Sequence, residues 1–186
     1  MCSSDLAAFL AWEERQELRY EFDGIRPVAM TGGTFAHSVV QSNLMIALGN
    51  ALRGGPCRAH AGHLKAATAK GYRYPDVFVE CAKPRANATV AEPVVVCEVL
   101  SESTAGYDRV VKVREYGDTT SIQQYAMLEQ DRIAATVFSR ESGRWTATLL
   151  GEGDSLDFPG IGVSIPLTAC YVGVDFDSES HGDADH

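Results

Sequence analysis

Two carboxylates stand where carboxylates are costly. Glu98 interrupts the most apolar stretch of the chain, between Val94-Val95-Val96-Cys97 and Val99-Leu100. Burying even a neutral polar group without a partner costs about 2–7 kcal/mol, and an unpaired charge costs more. Glu98 therefore needs a metal ion, a Lys or Arg partner, or exposure at the strand end, where Ser101 and Glu102 follow. Asp76 heads a second apolar run, Pro75-Asp76-Val77-Phe78-Val79-Glu80-Cys81. Alone it reads as a turn residue beside proline. If the two strands are neighbours, both carboxylates converge at one edge of a sheet, and hard oxygen ligands favour Mg²⁺ or Mn²⁺ over zinc. Such an ion can hold a phosphate oxygen, offset charge building on phosphorus and lower the pKa of a water.

Lys112 adds a cation. It lies in Tyr107-Asp108-Arg109-Val110-Val111-Lys112-Val113-Arg114-Glu115-Tyr116, where helical spacing puts Asp108, Lys112 and Tyr116 on one face. The plain reading is a surface Asp–Lys pair worth about 0.3–0.5 kcal/mol. Beside Glu98, the same ammonium could orient water or stabilise charge on a phosphoryl group.

The elements that must position these groups follow from periodicity and punctuation. Ser3 or Ser4 caps a helix through about Glu17. Arg19 to Thr31 reads as a hairpin with Asp23-Gly24 as a two-residue turn. Thr34 caps a second helix whose Val40, Leu44, Leu48 and Leu52 recur at helical spacing, and Gly54-Gly55-Pro56 ends it. Weak strands at 57–61 and 64–69 precede the strand that starts at Pro75. After a polar loop, 83–91, the strand from Pro93 to Leu100 is expected to be buried on both faces. A helix to about Tyr116 follows, and strands fill the last third, at 123–128, 133–138, 145–150, 155–158 and 162–167. The fold class is α/β, a central mixed sheet flanked by helices. One domain is expected over residues 1–174, with an acidic, disordered tail at 175–186.

Composition narrows the function classes. The chain has 186 residues and a formal net charge of −9; the tail holds five acids and no Lys or Arg, leaving −4 on the body. No broad basic surface is expected, so contact with nucleic acid would be local and helped by metal. No apolar run is long enough to cross a bilayer, and the start lacks the basic region of a secretory signal. A cytoplasmic protein is expected. Its five cysteines form no C-x-x-C pair, so no structural disulfide is expected.

Pro75-Asp76, Glu98-Val99-Leu100-Ser101, and Asp108 with Lys112 and Tyr116 together resemble the Uma-type endonuclease family of the PD-(D/E)XK superfamily. Tyr20-Glu21-Phe22-Asp23-Gly24 and the helix carrying His37 share the resemblance, which runs from about Phe9 to Val137. It implies a restriction-endonuclease-like core and Mg²⁺-dependent (or Mn²⁺-dependent) phosphodiester hydrolysis. Asp76 and Glu98 would be metal ligands, the main-chain carbonyl of Val99 a third, and Glu21 an accessory carboxylate. The chain departs from the superfamily pattern at one place. The lysine expected two residues after the Glu is Leu100, on the same strand face as Glu98. Lys112 could supply that ammonium from the following helix.

Other readings are weaker. Cys57, His60 and His63 have zinc-like spacing but no fourth ligand nearby. No G-x-S-x-G and no P-loop is present. The runner-up is a non-catalytic module, a nuclease fold kept as a nucleic-acid-binding or regulatory partner. A two-fold homodimer is the ordinary expectation for a small protein of this kind.

Overall fold

The structure, a computed structural model, describes residues 3–22, 25–29, 33–62, 64–82, 90–100 and 107–176. The Asp23-Gly24 turn, His63, most of the polar loop, the segment after Leu100 and residues 177–186 of the tail lie outside them.

The central sheet grows around β8 (Val95–Leu100), whose six residues are all buried. Its neighbours are β6 (Val77–Glu80), antiparallel, and β9 (Gln124–Glu129), parallel. A parallel neighbour requires a crossover, and α3 (Tyr107–Asp118) lies on that connection. Beyond β9 come β10 (Ala135–Glu141) and β11 (Arg144–Leu150); beyond β6 comes β3 (Arg58–Ala61). The six-stranded order is β11-β10-β9-β8-β6-β3. The sheet is mixed, as the sequence implies.

Strand alternation divides the core into two layers. Val77, Val79, Val95, Cys97 and Val99 face one side, where α2 (Phe35–Ala51) lays down Val40, Leu44 and Leu48. Thr34 caps this helix by accepting the His37 N–H. Phe78, Val96 and Leu100 face the other side, with Tyr116 of α3, Tyr125 and Met127. A two-stranded sheet, β12 (Ser155–Phe158) with β13 (Val163–Pro166), adds Leu156, Phe158 and Ile165 to the α2 layer.

A second sheet gathers short strands; the sequence implies the hairpin over 19–31 and the weak strand at 64–69, but not the strands at 72–73 and 90–91 or their assembly into one sheet. Its order is β2-β1-β5-β4-β7, from β1 (Tyr20–Phe22), β2 (Pro27–Ala29), β4 (Lys65–Ala67), β5 (Tyr72–Arg73) and β7 (Val90–Ala91). β1 and β2 pair antiparallel from Tyr20↔Ala29 to Phe22↔Pro27, the hairpin expected over 19–31. Gly71 lets β5 approach β1, because a Cβ there would collide with the Phe22 carbonyl oxygen. Helix α1 (Ser3–Glu13) is shorter than expected. Its last turn tightens, with Arg15 N bonding Trp12 O, while the Glu13 side chain turns inward to Lys65 at 2.7 Å.

The expectation of no structural disulfide is corrected. Cys57 and Cys81 are bonded, and the reason lies in the strand register. Arg58 pairs with Glu80 across β3 and β6, so one step further sets Cys57 opposite Cys81. Their spacing in sequence gives no sign of this, because the hairpin that joins them is long. Cys97 and Cys170 remain as buried thiols. Replacing both Cys57 and Cys81 by Ala is expected to cost about 2–4 kcal/mol in chemical denaturation.

Candidate functional site

The register that joins β6 to β8 pairs Val77 with Cys97. One step past that pair, Asp76 falls opposite Glu98. Directly opposed residues of an antiparallel pair carry their Cβ atoms about 4.5–5.5 Å apart. Extended by that step, the register sets the two residues side by side at the end of the sheet, close enough for the Asp76 charge to act on the Glu98 carboxyl.

Asp76 is held from both sides. Its Oδ2 accepts the Val99 N–H at 2.8 Å and lies 3.2 Å from His37 Nε2. Its main-chain oxygen accepts Gln41 Nε2 at 2.9 Å, tying it to α2. His37 reaches this position from the first turn of α2, over Gly33; a Cβ at Gly33 would lie 2.9 Å from His37 Nδ1. The Asp76 hydrogen bond holds the His37 pKa above the ordinary value, against burial, with help from the Glu98 charge and the Val99 backbone. His37 thus contacts the candidate site directly, through Asp76.

Glu98 is met from α3. Its Oε1 accepts both Lys112 Nζ at 3.0 Å and the Tyr116 hydroxyl at 2.9 Å. Lys112 is only 16% exposed on its side chain, so it is not a surface ammonium. Burial pushes the Glu98 carboxyl up to about 7, opposed by Lys112 and reinforced by the negative charges of Asp76 and Glu21. The same burial, with the Glu98 charge, keeps the Tyr116 phenol protonated as a donor.

Glu21 sits behind this pair. Its Oε2 accepts Arg73 Nη1 at 3.0 Å and its Oε1 accepts the Tyr74 N–H at 3.1 Å. Arg73 also binds Glu115 of α3, at 2.6 Å. Burial works against the Arg73 charge, but the Glu115 hydrogen bond and the charges of Glu21 and Glu115 outweigh it, so the guanidinium stays ionised. Arg73 and Glu115 were not singled out by the sequence. Tyr72-Arg73 is too short a strand for alternation to reveal, and Glu115 lies in a helix rich in charges. A parallel pair, Glu13 with Lys65 and the Tyr74 hydroxyl, braces α1 against the same sheet.

The donor set fits a small hard cation. Among the described residues, Asp76 Oδ1 and Glu98 Oε2 carry no hydrogen bond, and the Val99 main chain lies beside them. Among the described residues no three His, Cys, Asp or Glu side chains gather in metal-holding geometry. Two carboxylates with water and substrate oxygens completing the shell is a pattern suited to Mg²⁺. Asp76 and His37 open onto a cleft of about 710 Å³ that Arg19, Gln41 and Tyr74 also line. The zinc reading is overturned, since Cys57 is in a disulfide and His60 stacks on Phe78 at 5.1 Å.

Comparison with known proteins agrees with this architecture. The chain is 32% identical over 173 residues to the uncharacterized protein slr1290 of Synechocystis sp., covering 90% of this chain and 91% of that one. A second Synechocystis protein, sll1609, is 31% identical over 98 residues, covering 50% of this chain and 55% of its own length. The crystal structure of a putative nuclease of the DUF820 group from Anabaena variabilis superposes with a TM-score of 0.74 at 16% identity, over 90% of this chain and 97% of that one. No helix among the described residues is long and apolar enough to cross a membrane. The Uma2 family profile, described as "Putative restriction endonuclease", matches residues 6–168, and the chain belongs to that family.

Proposed function

We propose that this protein is a Mg²⁺- or Mn²⁺-dependent endonuclease that hydrolyses phosphodiester bonds of nucleic acid. The observation that carries the reading is the placement of Asp76 across from Glu98 at the sheet end, each with one carboxylate oxygen that takes no hydrogen bond among the described residues. Asp76, Glu98 and the Val99 carbonyl would hold the ion. When bound, the ion supplies a Lewis-acid contact to a phosphate oxygen and a water of lowered pKa. Lys112 and Tyr116 both hold the Glu98 carboxylate at Oε1, which keeps Oε2 for the ion. The Val99 N–H fixes Asp76 in the same way. Lys112 places a positive charge within 3.0 Å of Glu98 Oε1, where it can share the negative charge that grows on a phosphoryl group. Arg19 and His37 give the cleft beside Asp76 the cationic character a phosphate backbone needs. Glu21, neutralised by Arg73, contributes through its field on Glu98 rather than by direct contact.

The test is cleavage of plasmid and single-stranded DNA and of RNA with Mg²⁺ or Mn²⁺. Metal-dependent nicking supports the proposal; no cleavage under any metal or substrate sinks it.

One observation favours a second reading, a non-catalytic nucleic-acid-binding or regulatory module. Leu100, in the position of the superfamily lysine, is buried in the α3 layer, so the strand itself offers no ammonium. Glu98→Gln separates the two readings. If Glu98 is a ligand, the parent with an ion at about a hundred times its dissociation constant gains about 2.7 kcal/mol, and the variant gains nothing. Without metal, the raised Glu98 pKa means the folded state holds a proton the unfolded chain releases. Its stabilising effect is complete below the unfolded value and is lost as pH rises through about 7. At pH 8 the metal-free Gln variant should therefore match or exceed the parent in a thermal melt.

A further inference from the structure

Strand β11 is an outer strand of the six-stranded sheet, and among the described residues no strand pairs with its far side. Sheet edges are usually blunted by proline, lysine, a bulge or short length. The opposite edge, β3, has four residues, whereas β11 has seven and runs Trp-Thr-Ala-Thr-Leu-Leu after Arg144. Leu149 is 80% exposed. Clefts flank the strand on both sheet faces, one of about 400 Å³ beside Thr148 and Leu150, the other of about 720 Å³ beside Val110 and Trp145.

The ladder fixes which main-chain groups face outward. Ser142 and Gly143 both have positive φ, 49° and 78°, in the two-residue turn between β10 and β11. Such a turn is closed by a hydrogen-bonded pair, here Glu141 and Arg144. Pairs then alternate, so Arg144, Thr146, Thr148 and Leu150 direct their N–H and C=O groups to β10. Trp145, Ala147 and Leu149 direct theirs to the open edge.

We propose that β11 pairs antiparallel with β11 of a second copy of this chain, about a two-fold axis at Ala147. In that register all three outward residues meet outward residues: Ala147 meets itself, and Trp145 meets Leu149 of the partner subunit, twice. Three hydrogen-bonded pairs supply about six main-chain bonds. Each exposed Leu149 covers an indole, an aromatic–aliphatic cross-strand pair. Trp145 Nε1 is buried and has no hydrogen-bond partner among the described residues, while Arg140 lies 5.2 Å over the ring, so the indole is held by packing. Arg144 falls diagonal to Glu152 of the partner subunit, again twice, and both are exposed in the single chain. An axis at Thr146 or Thr148 would set Trp145 against Ala147 or Gly151 and keep only two of the three pairs. The occupant favoured here is therefore a second copy, because the edge is complementary to itself in side chains, hydrogen bonds and charge.

Sedimentation equilibrium of the full chain at tens of micromolar tests this. The expected result is twice the 20.1 kDa chain mass for the parent. Leu149→Asp, a surface change that leaves the core alone, is expected to give monomer with an unchanged circular dichroism spectrum. Ala147→Pro removes one outward N–H and should do the same. Arg144→Glu should weaken the dimer at least tenfold, and adding Glu152→Arg should restore it. A monomeric parent, a dimer that survives Leu149→Asp, or a charge swap that fails to restore association would each overturn the proposal.

Discussion

Asp76→Asn is expected to keep the fold and lose metal-dependent cleavage by about 10²–10³-fold or more, since ion stabilisation of transition-state charge is worth several kcal/mol. Asn is the informative replacement. Its side-chain oxygen can still accept the Val99 N–H, which Asp76 now takes at 2.8 Å, whereas Ala would leave that buried donor unsatisfied at about 1–3 kcal/mol. The comparison thus separates loss of the ligand charge from loss of the strand contact. Single-turnover cleavage of one substrate, read beside a thermal melt of both proteins, checks it. Full activity in the Asn variant would remove Asp76 from the site.

The largest stability effect is expected at Arg73. Its guanidinium answers two buried carboxylates, Glu21 at 3.0 Å and Glu115 at 2.6 Å, and joins the small sheet to α3. Arg73→Met fills the volume and strands both charges, a loss expected at about 3–5 kcal/mol in urea denaturation. Adding Glu21→Gln and Glu115→Gln should recover much of it, because no charge is then left unpaired. A triple variant as unstable as Arg73→Met would show that packing, not charge, is what Arg73 supplies. The site has a stake in the result. Glu115 precedes Tyr116 and lies one turn from Lys112, so Arg73 also sets the position of α3 against Glu98.

Much of this arrangement is legible in the sequence for a definite physical reason. A charged residue inside a β-branched run violates its environment, and Glu98 does so plainly enough to mark the site without a structure. The capping of α2 by Thr34 and its four-residue apolar spacing are equally local signals. What is not legible is non-local. Strands of two residues, such as Tyr72-Arg73, show no alternation, so the joining of the 19–31 hairpin to the other short strands, and the ion pairs buried there, leave no trace in periodicity. The Cys57–Cys81 bond depends on the pairing of β3 with β6, which spacing alone does not reveal. Lys112 lies between these cases. Helical spacing places it on the face of Tyr116, but only the parallel placement of β9 and the packing of α3 bring it to Glu98.

The measurement that tests the central claim most directly is a calorimetric titration of Mn²⁺ into the protein at pH 6 and pH 8, with Asp76→Asn beside it. Glu98 rises to about 7 through burial, and an ion must displace that proton to bind. One ion per chain is expected, bound more tightly at pH 8 by up to about tenfold, with a proton released at pH 6 and no measurable binding in the variant. Equal binding by parent and variant, or an affinity that ignores pH, would contradict a shared Asp76–Glu98 ion site.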